Sequence, residues 1–207
     1  MYSSKDVQYF ETIFSIAIRK ATDSLTRMIG SKVVSKEAVL EFVQADAFPG
    51  ILGAEGESFM CVFFTYNGDK SFGEAKDSLQ GVVLLVFDLN SADEVANILT
   101  SGFTVPEESK KELLSSSLGE FGNVLTNGVL TILSGISGYR LSSSTPKIHQ
   151  LRGMDVLPYT VDNLKIISDQ IILIKTDIVN ESHCVKGRFF IFPKDYKAFR
   201  NMVLLTD

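Results

Sequence analysis

The sequence has little of several residue types that usually carry chemistry. It has no tryptophan and only two cysteines, two histidines and five prolines in 207 residues. Two cysteines exclude a small disulfide-bonded scaffold, and we expect Cys61 and Cys184 to be buried free thiols. His149 and His183 lie far apart, with no carboxylate or cysteine pattern that indicates a metal, so surface or strand-edge positions are expected for them.

Positive charge and long apolar runs are also scarce. The net charge is −5, and no block of Lys and Arg offers the cationic surface that nucleic acid requires. No apolar stretch reaches the roughly 18 residues of a membrane span, and residues 1–10 do not read as a secretory leader. These absences predict no nucleic-acid partner, no membrane insertion and a cytoplasmic location.

The material for a packed core is abundant. Hydrophobic residues make up 45% of the chain and charged residues 22%, and the 15 phenylalanines are the main large apolar side chains. A chain of this length and composition predicts one folded domain over residues 1–207.

The domain reads as two halves with the same plan, residues 1–103 and 104–207. When the halves are laid over each other, Gly30 falls on Gly138 and Ser15 falls on Asn123, and GVVLLVF in the first half parallels GRFFIFP in the second. Each half has a long helical pattern, strands and a short helix. We therefore expect an α/β fold of the α+β type, in which two long helices related by a pseudo-two-fold pack on one shared, mainly antiparallel sheet.

Periodicity and turn residues predict the individual elements. Helices are expected over 6–30, 91–100, 107–137 and 194–205. Strands are expected over 33–43, 58–69, 80–89, 169–179 and 186–193, and residues 139–146 and the segment after them are expected to be extended. Ser91 with Glu94 predicts a capping box for the helix over 91–100. The Pro and Gly residues of 47–57 predict a loop.

The helix over 107–137 has a narrow polar face. At about 100° per residue, Ser116, Glu120, Asn123 and Asn127 lie within one stripe, and the large apolar residues lie opposite. Gly122 falls on the apolar side, where a missing side chain allows a close approach to a neighbour. The stripe is bordered by Ser, Thr and Gly rather than Lys and Arg, so this helix can enter a narrow cleft. An ordinary solvated face is the alternative, because Glu-x-x-Asn is common by chance.

The spacing of these residues carries a family resemblance. Ser116-x-x-x-Glu120-x-x-Asn123, followed after 22 intervening residues by Pro146, resembles the signature of the CheC/CheX/FliY phosphatases of bacterial chemotaxis. The duplicated plan and the length resemble the CheC branch, so the resemblance spans the whole chain. Asn127-Gly128 departs from the family pattern, in which the small residue more often comes first.

The resemblance implies a function and roles. The substrate would be the phosphoaspartate of a CheY-like receiver domain, which brings its own Mg²⁺, so no cofactor of this chain is expected. Asn123 would orient the attacking water, much as a Gln does in GTPases, and Glu120 would pair with a cation of the receiver. Ser116, Asn127 and Pro146 would have supporting parts.

The first half does not repeat the motif. Thr12 and Ser15 stand where the second half has Glu120 and Asn123, and neither offers a carboxylate or a carboxamide. Glu11 is one position off, which rotates it about 100° from the required face. We therefore expect a single active site.

Two other functions fit the same sequence. The chain could be a non-catalytic module that binds a receiver, the deamidase CheD or a component of the flagellar switch. Alternatively, the chemistry is kept and the receiver belongs to a pathway outside chemotaxis. Retention of both Glu120 and Asn123 favours the phosphatase.

Overall fold

The computed structural model describes residues 4–53, 56–70, 79–101, 106–164 and 170–194. The helices are α1 (Ser4–Ile29), α2 (Phe48–Leu52), α3 (Leu89–Leu99), α4 (Lys110–Ser137) and α5 (Gly153–Leu164). The strands are β1 (Val34–Ser35), β2 (Val39–Gln44), β3 (Ser58–Lys70), β4 (Leu79–Asp88), β5 (Tyr139–Ser143), β6 (Lys147–Arg152), β7 (Gln170–Asn180) and β8 (Val185–Pro193). Short 3-10 turns precede α2 and α4.

All eight strands form one antiparallel sheet. Its order is β1-β7-β8-β4-β3-β5, with β2 also paired to β7 and β6 also paired to β3. The central pair is β4 with β8, in which Leu84 lies opposite Phe190. Both strands are apolar on both faces, as expected for strands covered by helices on each side. The predicted mixed fold with a shared antiparallel sheet is confirmed.

Helices cover both faces of this sheet. On one face α1 and α4 pack against each other and α3 joins them, around a core that includes Phe14, Phe64 and Phe121. On the other face the short helices α2 and α5 bury Phe48 and Val156 against the sheet. The polar stripe of α4 is therefore presented by a helix whose opposite side is fixed in the larger core.

The two halves repeat each other and exchange strands. In each half the long helix ends at a glycine in the left-handed region, Gly30 (φ 72°) and Gly138 (φ 70°). The strands that follow α1 pair with β7 of the second half, and those that follow α4 pair with β3 of the first. The predicted boundary at residues 103 and 104 lies outside the described residues and stays a prediction. The predicted final helix lies outside them as well, except for Lys194.

Some local predictions were wrong. Residues 47–57 are not all loop, because Pro49 is tolerated in the first turn of α2 while Phe48 and Leu52 are buried. The helix α5 was not predicted. Helix α3 begins before Ser91 and is capped by Asp88, whose carboxylate accepts a hydrogen bond from the Ser91 N–H at 2.7 Å.

The cysteines also differ from each other. Cys61 is a buried free thiol, as expected, and burial raises its pKa to about 12. Cys184 is exposed, because it lies in the turn between β7 and β8, at φ 54°. The expectation that both thiols are buried is therefore wrong for Cys184. His149 lies on β6 and His183 lies in the same turn as Cys184, in agreement with the expected strand-edge and surface positions.

Candidate functional site

Helix α4 presents the predicted polar stripe to solvent. Its buried side includes Leu118, Phe121 and Leu125. Glu120 is exposed and Asn123 is half-buried, one turn further along the helix. The helical pattern in the sequence therefore separates these two polar groups from the core, as predicted.

Two glycines decide how closely α4 lies on its neighbours. A Cβ added at Gly122 would be 2.9 Å from the ring of Phe64 and 3.2 Å from Val62, so the helix touches β3 through its backbone. A Cβ added at Gly119 would be 3.3 Å from the ring of Pro146. This close approach brings the Glu120 and Asn123 turn next to the connection between β5 and β6.

An open groove of about 640 Å³ runs between α4 and that connection. Four of the predicted residues line it together, namely Glu120, Asn123, Asn127 and Pro146. Ser116 is exposed on α4 one turn before Glu120, but it is outside the groove lining. The remaining lining residues are Val124, Leu141, Ser142, Ser143, Ser144 and Thr145.

Hydrogen bonds hold the wall of the groove in place. The Ser143 hydroxyl donates to Oδ1 of Asn127 at 2.9 Å, which joins the wall to α4. The Ser144 N–H donates to the Thr65 carbonyl at 2.8 Å, and the Ser144 hydroxyl accepts from the Thr65 N–H at 3.1 Å. The sequence pattern did not point to Ser143 or Ser144. Their position shortly before Pro146 is the signal that could have found them.

The chemistry available in the groove is simple. Glu120 is the one ionisable side chain among the lining residues, and Asn123 and Asn127 add carboxamides that can both donate and accept hydrogen bonds. Such a set can pair with one cation and orient a water molecule. Across the described ranges, no three or more His, Cys, Asp and Glu side chains gather as a metal site would need. One carboxylate with carboxamides is a weak donor set for Mg²⁺.

The corresponding face of the first half has a smaller groove of about 430 Å³. Three of its polar side chains are hydrogen-bonded to the backbone. The Ser15 hydroxyl accepts from the Ala38 N–H at 2.8 Å, and the Glu11 carboxylate accepts from the Leu40 N–H at 3.1 Å. The exposed Thr12 hydroxyl donates to the Gln8 carbonyl at 2.8 Å. These bonds give the first-half residues a structural use.

Within the described part of the chain, no helix has both the length and the apolar character needed to cross a membrane.

Comparisons with known proteins find relatives of low identity. No family model matches the chain. A Halobacterium salinarum protein provisionally named CheY-P phosphatase CheC1 is 25% identical over 132 residues, which cover 62% of this chain and 64% of that protein. The match thus spans just under two thirds of that relative. The CheY-P phosphatase CheC of Bacillus subtilis is 20% identical over 192 residues, 91% of this chain and 87% of that protein.

Solved structures share the fold over nearly the whole chain. FliY of Thermotoga maritima has a TM-score of 0.69 at 18% identity, with 98% of this chain and 96% of that chain covered. FliM of H. pylori, crystallised as a FliG-FliM complex, has a TM-score of 0.56 at 12% identity, with 97% and 100% covered. The fold is thus the one common to CheC-like proteins, FliY and the middle domain of FliM. Together with the sequence relatives, it supports the similarity of this chain to the CheC/CheX/FliY family.

Proposed function

We propose that this chain is a phosphatase that hydrolyses the phosphoaspartate of a CheY-like response-regulator receiver domain. The observation that carries the proposal is the groove beside α4, in which an exposed Glu120 and a half-buried Asn123 stand one turn apart. The names of the two sequence relatives supply the substrate class.

Asn123 would orient the attacking water. Hydrolysis of an acyl phosphate mainly requires a water aligned in line with the scissile bond and stabilisation of charge on the phosphoryl oxygens. A carboxamide can accept a hydrogen bond from that water and donate one to the substrate at the same time. The receiver is expected to supply the Mg²⁺ and a lysine, so this chain needs to add only the oriented water.

Glu120 would dock the receiver by pairing with one of its cations. It is exposed on α4 and is the one charged residue of the groove lining, so its carboxylate is available to a partner. An exposed pair contributes modestly to affinity and is screened by salt. Ser116 extends the same exposed face, Asn127 fixes the wall through Ser143, and Pro146 packs beside Gly119.

The direct test follows phosphate loss from a Mg²⁺-loaded, phosphorylated receiver. Asn123→Ala should lower kcat on the order of 100-fold, because the oriented water is lost. Glu120→Gln should raise KM by about twofold to tenfold and reduce the salt dependence of kcat/KM, because one ion pair is lost. Full activity in both variants would overturn the assignment.

The first half supplies matched controls. Thr12→Ala changes the exposed residue that corresponds to Glu120, and Ser15→Ala changes the one that corresponds to Asn123. Both should leave kcat and KM unchanged, although Ser15→Ala loses the bond from the Ala38 N–H and should lower stability by about 1 kcal/mol. A loss of rate in either variant would place a second site in the first half.

A non-catalytic role is the second candidate, and a specific observation favours it. The same fold occurs in FliM, whose structures include complexes with SpeE and with FliG. On this hypothesis the groove binds a receiver, CheD or a flagellar switch component without turnover. Equal binding of phosphorylated and unphosphorylated receiver, with no phosphate release, would establish it. A pull-down with receivers from chemotaxis and from other pathways identifies the partner under either candidate.

A further inference from the structure

We propose that Pro146 is a positioning residue for Asn123, and that it acts through the hydrogen-bond donor it lacks. With no N–H at position 146, the backbone cannot hold the Asn123 carboxamide, which stays available to a water. This inference rests on the proposed function for its catalytic consequence, but its geometry comes from the comparison of the two halves.

In the first half the corresponding side chain is held by the backbone. The Ser15 hydroxyl accepts a hydrogen bond of 2.8 Å from the N–H of Ala38, which precedes β2. This bond commits the Ser15 hydroxyl oxygen to the backbone next to β2. A residue bonded in this way is poorly placed to orient a substrate water.

The correspondence between positions is structural. The number of residues between Gly30 and Gly138 is the same as that between Ser15 and Asn123 and between Ala38 and Pro146. The same spacing relates two observed hydrogen bonds, one in each half. Thr26 Oγ1 accepts from the Val33 N–H at 2.9 Å, and Ser134 Oγ accepts from the Leu141 N–H at 3.0 Å. It also takes both ends of β2 onto the ends of β6.

At the second-half position the donor is missing. Asn123 and Pro146 line the same groove, and the described residues include no hydrogen-bond partner for the Asn123 carboxamide. The Asn123 side chain is longer than that of Ser15, so it could reach a backbone N–H at position 146 as Ser15 reaches that of Ala38. Proline removes that N–H at the position where it would compete with the water.

A second pair of positions also has a side-chain-to-backbone hydrogen bond in the first half that the second half cannot form. In the first half the Glu11 carboxylate accepts from the Leu40 N–H at 3.1 Å. The corresponding residues are Gly119 and Ile148, and Gly119 has no side chain to offer. Because Gly119 is also where the Pro146 ring packs against α4, both backbone anchors of the first half are replaced by features that open the groove.

The test separates the missing N–H from the stiffness of the ring. Pro146→Ala introduces an N–H, whereas Pro146→lactic acid, introduced as a backbone ester, has the same methyl side chain and no N–H. We expect Pro146→Ala to lower kcat about threefold to tenfold, the range for one competing hydrogen bond, with receiver affinity unchanged. The ester variant should have a kcat about threefold to tenfold above that of Pro146→Ala, because it introduces no competing donor.

A second readout needs no receiver. In Pro146→Ala the new amide should exchange with solvent slowly, and adding Asn123→Ala should restore fast exchange, because the acceptor is gone. Equal loss of kcat in the alanine and ester variants would overturn the proposal in favour of ring stiffness. A freely exchanging amide at position 146 would overturn it as well.

Failure of the proposed function is distinguishable from failure of this inference. If the parent protein shows no turnover with any phosphorylated receiver, the phosphatase assignment fails. The amide exchange of Pro146→Ala, alone and with Asn123→Ala, then decides the positioning claim by itself, since protection supports it and its absence overturns it.

Discussion

Two buried hydroxyls are exceptions among the described residues. The Thr126 hydroxyl on α4 and the Tyr66 hydroxyl on β3 are buried without a hydrogen-bond partner. Burial also raises the pKa of Tyr66, so its phenol stays neutral in alkaline solution. An unpaired buried hydroxyl is destabilising, because its bonds to water are lost and nothing replaces them.

Thr126→Val should therefore stabilise the protein. The substitution keeps the branched shape and removes the unpaired hydroxyl, and we expect a gain of about 1 kcal/mol in the free energy of unfolding. Thr160→Val is the matched control, since Thr160 is also fully buried in a helix but its hydroxyl donates to the Val156 carbonyl at 2.7 Å. Thr160→Val should lower the free energy of unfolding by about 1 kcal/mol. Denaturant unfolding measures the change for both variants. A loss from Thr126→Val larger than that from Thr160→Val would contradict the assignment of an unpaired hydroxyl to Thr126.

At the residue scale, the sequence predicted which residues of the candidate site are exposed better than it predicted their neighbours. The helical period alone places Glu120, Asn123 and Asn127 on one face, because the buried positions of α4 are unambiguous. It does not predict that Ser143 bonds Asn127, since that contact joins two segments through the tertiary fold. Cys184 was misassigned because a β-rich neighbourhood also contains the turn that exposes it.

At the scale of elements, the close packing of α4 on the sheet depends on the positions at which the helix has glycine. Gly122 lies over Phe64 and Val62, whereas Gly135 in the same helix has nothing within 4 Å of an added Cβ. Helical propensity favours alanine over glycine by about 1 kcal/mol at either position. The local packing therefore decides the sign of each substitution.

Gly122→Ala should destabilise the protein by about 1–2 kcal/mol, because overpacking against a buried ring outweighs the gain in helical propensity. On the proposed function it should also lower phosphatase activity, since α4 carries Glu120 and Asn123. Gly135→Ala should stabilise by up to about 1 kcal/mol and leave activity unchanged. Thermal unfolding and phosphate release measure both effects. A stabilising Gly122→Ala would show that α4 is not seated as described.

The elements missed in the sequence share a cause. Helix α2 is five residues long and includes Pro49 and Gly50, and α5 contains Pro158. Proline and glycine ordinarily indicate loops, and short helices have too few turns for a clear period. What stabilises these helices is burial against the sheet, as for Leu52 and Val156, which local sequence does not reveal. The long helices and central strands had enough length for their periods to be decisive.

For the whole molecule, the comparison of the first half of the sequence with the second predicted two similar halves but not how their strands pair. Strand β3 has β4 on one side, and on the other it pairs with β5 and β6 of the second half. Strand β7 pairs in the same way with β1 and β2 of the first half. Strand exchange cannot be inferred from local pattern, because hydrophobic alternation specifies which face is buried and not which strand is adjacent.

Neither half should therefore fold as a monomer. The fragment of residues 1–103 would keep the β3–β4 hairpin but lose the partners of its other strands, and 104–207 would keep only the β7–β8 pair. An isolated hairpin is marginal in water, and the unpaired edges favour aggregation. Each fragment alone should give a collapsed amide spectrum and no cooperative unfolding transition. Refolded together, they should form a one-to-one complex with a dispersed spectrum, measurable by sedimentation and NMR. A folded, monomeric 104–207 fragment would contradict this, and would mean that the groove beside α4 does not depend on strands from the first half.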